Sequence, residues 1–265
     1  MPKIQVNDIE IYYEIHGEGF PILMIHGFSA NLDWWPQSII NELSKTFKVI
    51  LFDNRGAGRT DKPDMEYSIR LFADDTAGLM DALNIKKTFI IGLSMGGYIA
   101  QELTLNYPEK VEKLILCGTS CGGSKSTPPS AETMKILMRD RNVITPEGAI
   151  REWIPILFSQ DFITNHPDYI EYLIQRSLIA PIPPLNYRLQ TKAVFSYNAG
   201  RKLKEIKTST LILHGRKDIM LPSENAETIS KLIPNAKLHI FDESGHLLFS
   251  ERPEEVLMII MDFLR

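Results

Sequence analysis

The residues best placed to do chemistry are a serine, an aspartate and a histidine at three distant points of the chain. Ser94 stands in Gly92-Leu93-Ser94-Met95-Gly96, after the apolar run Thr88-Phe89-Ile90-Ile91 and before a stretch with Ile99, Ala100, Leu103 and Tyr107 on one helical face. The pattern reads as strand, sharp turn, helix. A chain that passes from strand to helix at one residue strains that residue, and glycines two before and two after it relieve the crowding. Ser94 then projects from the carboxyl end of the strand, beside backbone N–H groups and the positive dipole end of the helix. A serine hydroxyl is a weak nucleophile at neutral pH. It needs a base to take its proton, and the base needs an orienting acid.

His246 is the favoured base. It follows Phe241-Asp242-Glu243-Ser244-Gly245, beyond the last apolar strand. His214 also lies just past a strand end and is the alternative, whereas His239 falls inside a strand and His166 in a helical segment. Asp218 is the favoured acid, four residues beyond His214 through Gly215-Arg216-Lys217. Asp242 and Glu243 lie too near His246 in sequence to be first choice. The order Ser, acid, His is the one expected when all three sit at the carboxyl edge of an open α/β sheet. An oxyanion formed in acyl transfer needs backbone donors, each worth about 3 kcal/mol. The expected donors are the N–H of Met95, next to the nucleophile, and that of Phe28, in the loop His26-Gly27-Phe28. His26 itself reads as a structural hydrogen-bonding residue. Trp34 and Trp35 are candidates for the acyl pocket or for helix packing. Asp53, in Asp53-Asn54-Arg55-Gly56-Ala57-Gly58-Arg59-Thr60, precedes the nucleophile and is expected to hold Arg55 in a structural loop.

The elements that must position these groups follow from hydrophobic periodicity. Residues 9–16 alternate, with Ile9, Ile11, Tyr13 and Ile15 on one side, and pair with 3–6 across Asn7-Asp8 as an antiparallel hairpin. Residues 21–25, 47–52, 88–91, 111–117, 210–214 and 236–241 are apolar runs suited to strands buried on both faces. Helical patterns cover 34–46, 68–83, the stretch after Ser94, 223–232 and 253–264. Short connections between alternating strands and helices favour a mostly parallel sheet. That alternation stops after 117. Residues 119–131 are rich in Ser, Thr, Gly and Pro, and from there to 200 the pattern is helical, broken near Pro146, Pro167 and 181–184 into about four helices. The expected organisation is a core of 1–120 and 201–265 carrying a helical cap of 121–200. Arg139, Arg141, Arg151, Arg176 and Arg188 all fall in that cap, where an acidic substrate would find a cation.

Bulk composition narrows the class. The chain has 265 residues, 44% hydrophobic and 23% charged, enough for one α/β domain with an insertion. A net charge of −4 without a dense basic patch excludes nucleic acid or an anionic membrane as the expected partner. The two cysteines, Cys117 and Cys121, lack Cys or His companions at metal-site spacing and are expected as free thiols. There is no signal-peptide-like start and no apolar run long enough to span a bilayer, so the expected setting is cytoplasmic. No cofactor or metal is expected, and the partner is a small-molecule substrate.

Taken together, HGF at 26–28, DNRGAGRT at 53–60, GLSMGG at 92–97, LILHGRKD at 211–218 and SGH at 244–246 resemble the α/β-hydrolase family, in its order and over nearly the whole chain. The resemblance implies an eight-stranded, mostly parallel sheet with helices on both faces and a helical cap after the sixth strand. It implies Ser94 as nucleophile, Asp218 as acid and His246 as base. The serine turn is similar to that of 3-oxoadipate enol-lactonases, small carboxylesterases and cofactor-free haloperoxidases. Dehalogenases and soluble epoxide hydrolases of the family carry aspartate where this chain has Ser94. The expected activity is hydrolysis of a carboxylic ester or lactone. Hydrolysis of a C–C bond in a ring-cleavage product, perhydrolysis, and non-catalytic binding of a small signal molecule are the other uses of the same core.

Overall fold

The computed structural model describes residues 2–265. Its core is an eight-stranded sheet: β1 (Lys3–Val6), β2 (Ile9–His16), β3 (Pro21–Ile25), β4 (Lys48–Phe52), β5 (Thr88–Leu93), β6 (Val111–Cys117), β7 (Ser209–Gly215) and β8 (Lys237–Phe241), in spatial order β1-β2-β4-β3-β5-β6-β7-β8. Strand β2 runs antiparallel to both neighbours, and every pairing from β4 to β8 is parallel. The helices of the core are α1 (Gln37–Leu43), α2 (Ile69–Ala82) and α3 (Met95–Asn106). Five more, α4 (Ala131–Leu137), α5 (Pro146–Leu157), α6 (Gln160–Asn165), α7 (Pro167–Ser177) and α8 (Pro184–Ser196), lie between β6 and β7. After them come α9 (Glu224–Leu232), α10 (Leu248–Glu251) and α11 (Pro253–Leu264).

Alternation along the buried strands builds two apolar layers. Ile22 and Met24 of β3, Ile91 of β5 and Ile115 of β6 face α1, α11 and the inserted helices. Leu23, Ile25, Ile90 and Leu114 face α2, α3 and α9. Both faces of the central strands are therefore dry, which is why these strands read as continuous apolar runs.

Three local expectations are corrected. The stretch 34–46 is a 3-10 turn, Leu32–Trp34, followed by the shorter α1, because Pro36 takes an extended conformation (ψ 130°) between them. In β2, Tyr12 is buried although it alternates with the apolar set, and Ile15 is exposed. Arg59 lies 5.0 Å over the Tyr12 ring, and the Tyr12 hydroxyl donates to Glu14 at 2.7 Å. Between β6 and β7 there are five helices rather than four. The additional break is at Ser159, whose hydroxyl accepts the N–H of Phe162 and starts α6.

Candidate active site

Strand β5 ends at Leu93 and α3 begins at Met95, so Ser94 alone makes the turn, with φ 57° and ψ −121°. A non-glycine residue is strained at positive φ and persists only where its surroundings enforce it. Here they do. A Cβ on Gly92 would stand 2.4 Å from the Gly96 carbonyl oxygen, and one on Gly96 would stand 2.0 Å from that of Ile25. The glycines are needed because the turn presses on its own backbone and on β3. The Ser94 N–H donates to the Cys117 carbonyl at 2.9 Å, and the Thr119 hydroxyl donates to the Ser94 carbonyl at 2.8 Å.

Asp218 and His246 come together at the same edge. Asp218 Oδ1 accepts the N–H groups of Met220 (2.9 Å) and Leu221 (2.8 Å), and Oδ2 lies 2.7 Å from His246 Nδ1. Burial works against the Asp218 charge, but His246 and His214 beside it hold the carboxyl well below the usual carboxylate range. An ionised acceptor at Nδ1 fixes the proton there and leaves Nε2 as the basic nitrogen of His246. His214 is not a rival base: it is fully buried, 2.8 Å from the Leu221 carbonyl and 3.2 Å from Asp218 Oδ2 through the same nitrogen. The His246 loop is anchored by Glu251. Its Oε1 accepts the N–H groups of Gly245 (2.9 Å) and Ser159 (3.1 Å), and its Oε2 accepts the Ser159 hydroxyl. Glu251 was invisible in the periodicity, since its role rests on the loop it faces.

Ser94 and His246 line one cavity of about 560 Å³, roofed by α5, α8 and the segments around them. Phe28, Met95 and Trp34 line it too. The amide N–H groups of Phe28 and Met95 have no acceptor among the described residues. The Phe28 loop comes close to the serine because residue 27 is glycine. A Cβ there would lie 2.8 Å from Ser94 Cβ and 3.4 Å from its Oγ. The loop is held from above as well: Gln190 of α8, fully buried, accepts the Ser29 N–H at 2.9 Å and donates to the Arg55 carbonyl at 3.0 Å. Nothing in the sequence pattern marked Gln190.

Trp35 does not line the cavity. It is buried in the core, edge-on to Phe249 at 5.1 Å and to His26 at 4.7 Å. His26 Nδ1 accepts the N–H of Gly27 at 2.7 Å, and burial together with the neighbouring His246 pushes its pKa down to about 3. The ring is thus a neutral support of the Phe28 loop. Asp53 is structural in a way that differs from expectation. It accepts the N–H groups of Leu32 (2.8 Å) and Arg59 (2.7 Å), whereas Arg55 is gripped by Asp75 and Asp8. Cys117 and Cys121 are both free and buried. No helix among the described residues is long and apolar enough to cross a membrane.

A mostly parallel sheet with a serine turn at its carboxyl edge and an inserted helical roof defines the α/β-hydrolase class of fold. Residues 21–253 match the alpha/beta hydrolase fold family, and the protein belongs to it. It is 31% identical over 246 residues to a poly(3-hydroxyalkanoate) depolymerase of Ectopseudomonas oleovorans, with 92% of this chain and 84% of that one covered. It is 28% identical over 264 residues to a 2-hydroxymuconate semialdehyde hydrolase of Pseudomonas sp. (strain CF600), covering 94% and 88%. Among solved structures, a thermophilic esterase of Thermogutta terrifontis with malate bound superposes with a TM-score of 0.86 at 31% identity, covering 100% of this chain and 97% of that one.

Proposed function

We propose that the protein is a serine hydrolase that cleaves a carboxylic ester or lactone of a small molecule. The observation that carries this reading is Ser94, strained at the β5–α3 turn, opening into the same cavity as a His246 whose Nδ1 is paired with a buried Asp218 carboxylate. In this reading His246 Nε2 takes the Ser94 proton as Oγ attacks the carbonyl carbon. The N–H groups of Phe28 and Met95 receive the charge that develops on the carbonyl oxygen. His246 returns the proton to the leaving alkoxide, and an acyl-Ser94 ester remains. Water, deprotonated by the same nitrogen, attacks that ester, and Ser94 is regenerated with release of the acid. The likeness to a poly(3-hydroxyalkanoate) depolymerase and to an esterase supports ester chemistry.

The test is hydrolysis of short-chain p-nitrophenyl esters and small lactones by the wild type and by Ser94→Ala. Loss of turnover in the variant, with its fold intact by circular dichroism, is expected. Equal turnover by both proteins would refute the assignment. The likeness to a 2-hydroxymuconate semialdehyde hydrolase favours a second reading, C–C bond cleavage by the same groups. Decay of the absorbance of a dienol-keto acid, faster than ester hydrolysis by the same preparation, would select it.

A further inference from the structure

The cavity wall is apolar and aromatic for most of its area, and it contains one permanently charged side chain. Among its lining residues there is no Asp, Glu or Lys, and Arg141 is the single Arg. The other cap arginines are engaged or outside. Arg151 pairs with Glu147 and Glu171 on the surface, Arg176 binds Asp33, Arg139 binds Glu152, and Arg188 is exposed.

Arg141 sits in the 3-10 turn Arg141–Val143 between α4 and α5 and is 8% exposed. Its guanidinium lies 4.5 Å from the Tyr187 ring centroid and 5.7 Å from that of Trp153. Nη2 donates to the Tyr187 hydroxyl at 2.9 Å and to the Ile136 carbonyl at 3.3 Å. Nε and Nη1 are buried and have no acceptor. The nearest carboxylate oxygen, Glu152 Oε2, is 4.0 Å from Nη1 and makes no hydrogen bond, while Oε1 of the same residue is taken by Arg139. Two guanidinium groups therefore share one carboxylate, and Arg141, whose side chain lines the cavity, keeps two buried donors without an acceptor.

A buried cation with unpaired N–H groups is costly, and such groups in a folded protein call for an explanation. Rigid packing against two aromatic rings holds the guanidinium in place. The apolar and aromatic wall around it lowers the local polarity and so lengthens the reach of its field, with the Glu152 carboxylate at 4.0 Å as a shared counter-charge. The wall also leads from this charge to the reacting centre. Tyr187 packs against Phe28 at 4.7 Å, and Phe28 supplies one of the N–H groups assigned above to the oxyanion. Two aromatic rings thus separate an anion-seeking end of the cavity from its reactive end.

We propose that Arg141 forms a carboxylate subsite, so that the preferred substrate is an ester or lactone whose acyl part carries a second, unesterified carboxylate remote from the scissile bond. The proposal rests on the hydrolase reading for its kinetic test, and on binding alone for its second test.

The kinetic experiment compares kcat/KM for the p-nitrophenyl half-ester of adipic acid with that for the methyl-capped diester of the same length. The expected wild-type preference for the free acid is about tenfold or more, the size of one charge-assisted contact. Arg141→Met is expected to abolish or invert that preference, and Arg141→Lys to keep part of it. The ratio is taken within each protein, so a loss of folded enzyme cancels. A wild type that prefers the capped ester, or an Arg141→Met variant with the wild-type ratio, would overturn the proposal and leave Arg141 a clamp between Tyr187 and Ile136. The binding experiment uses adipate itself. Stabilisation of the wild type against thermal unfolding, absent in Arg141→Met, is expected. Equal shifts in both proteins, or none in the wild type, would overturn it. If neither ester is turned over while adipate still stabilises only the wild type, the hydrolase reading fails and the subsite stands.

Discussion

Replacing His26 by Asn should flatten the acid limb of the stability curve. His26 is 4% exposed, with Nδ1 accepting the Gly27 N–H and its ring against Trp35. Burial, aided by His246, pushes its pKa from 6.5 down to about 3. The folded protein therefore keeps the ring neutral down to about pH 3, whereas the unfolded chain protonates it below 6.5. Between those values the unfolded state binds more protons, so stability falls as pH falls and is fully present above 6.5. Each pH unit is worth about 1.4 kcal/mol, which gives roughly 2.5 kcal/mol between pH 6.5 and 4.5 and about 5 kcal/mol over the whole window. In Asn the side-chain Oδ1 occupies the place of Nδ1 and can still accept from Gly27. The ring lost beside Trp35 leaves a cavity whose cost, about 2–4 kcal/mol, does not depend on pH. The assay is the urea midpoint of wild type and variant at pH 7.5 and pH 4.5. With an m-value of about 2–3 kcal/mol/M, the wild-type midpoint should drop about 1 M further than that of the variant. Equal drops in both proteins would refute the reasoning.

Three other substitutions test the positioning of the reacting groups. Gly27→Ala places a methyl group 2.8 Å from Ser94 Cβ, and p-nitrophenyl butyrate turnover should fall at least 100-fold with the circular dichroism spectrum unchanged. Asp218→Asn removes the ionised acceptor that orients His246 Nδ1–H; kcat should fall about 10⁴-fold, with KM little changed, by steady-state kinetics. Gln190→Leu leaves the half-buried Ser29 N–H and the buried Arg55 carbonyl without their partner, the latter at about 1–3 kcal/mol, so it should lower the melting temperature and reduce kcat more than it raises KM.

The layout of the candidate site was legible wherever the constraint is local. Ser94 needs glycines on both sides because the backbone of its turn touches itself and β3, and a five-residue pattern records that collision. The buried strands were legible because alternate side chains enter two different apolar layers, so that no position is free to be polar. What escaped depends on partners far away in the chain. Trp34 and Trp35 are adjacent and identical, yet a 3-10 turn and Pro36 direct one to the cavity and the other to Phe249. Asp53 was expected to hold Arg55, but Asp75 of α2 reaches that guanidinium first, and Asp53 closes on the amides of Leu32 and Arg59 instead. Five arginines in the inserted segment looked alike, and their surroundings alone separate Arg141 from the rest.

The inserted helices do more than roof the cavity, and the hydrogen bonds show where. Gln190 of α8 holds the Ser29 amide, one residue from the Phe28 N–H. Ala180 accepts from Asn31, and Arg176 of α7 binds Asp33, so the rest of the same loop is tied to the same layer. At the opposite side, Glu251 accepts the amide of Gly245, one residue before His246, and is itself held by the N–H and hydroxyl of Ser159. Both segments that flank Ser94 are thus tied to the chain between β6 and β7, one directly by Gln190 and Arg176, the other through Glu251 to Ser159. In the proposed mechanism a roof attached in this manner does not alter substrate fit alone: moving it would shift the proposed backbone donor and the proposed base relative to Ser94. Substitutions in α8 or at Ser159 should therefore act on the reaction step as well as on binding. A substitution on the outer face of α7, where no such bond is made, should leave the reaction step untouched.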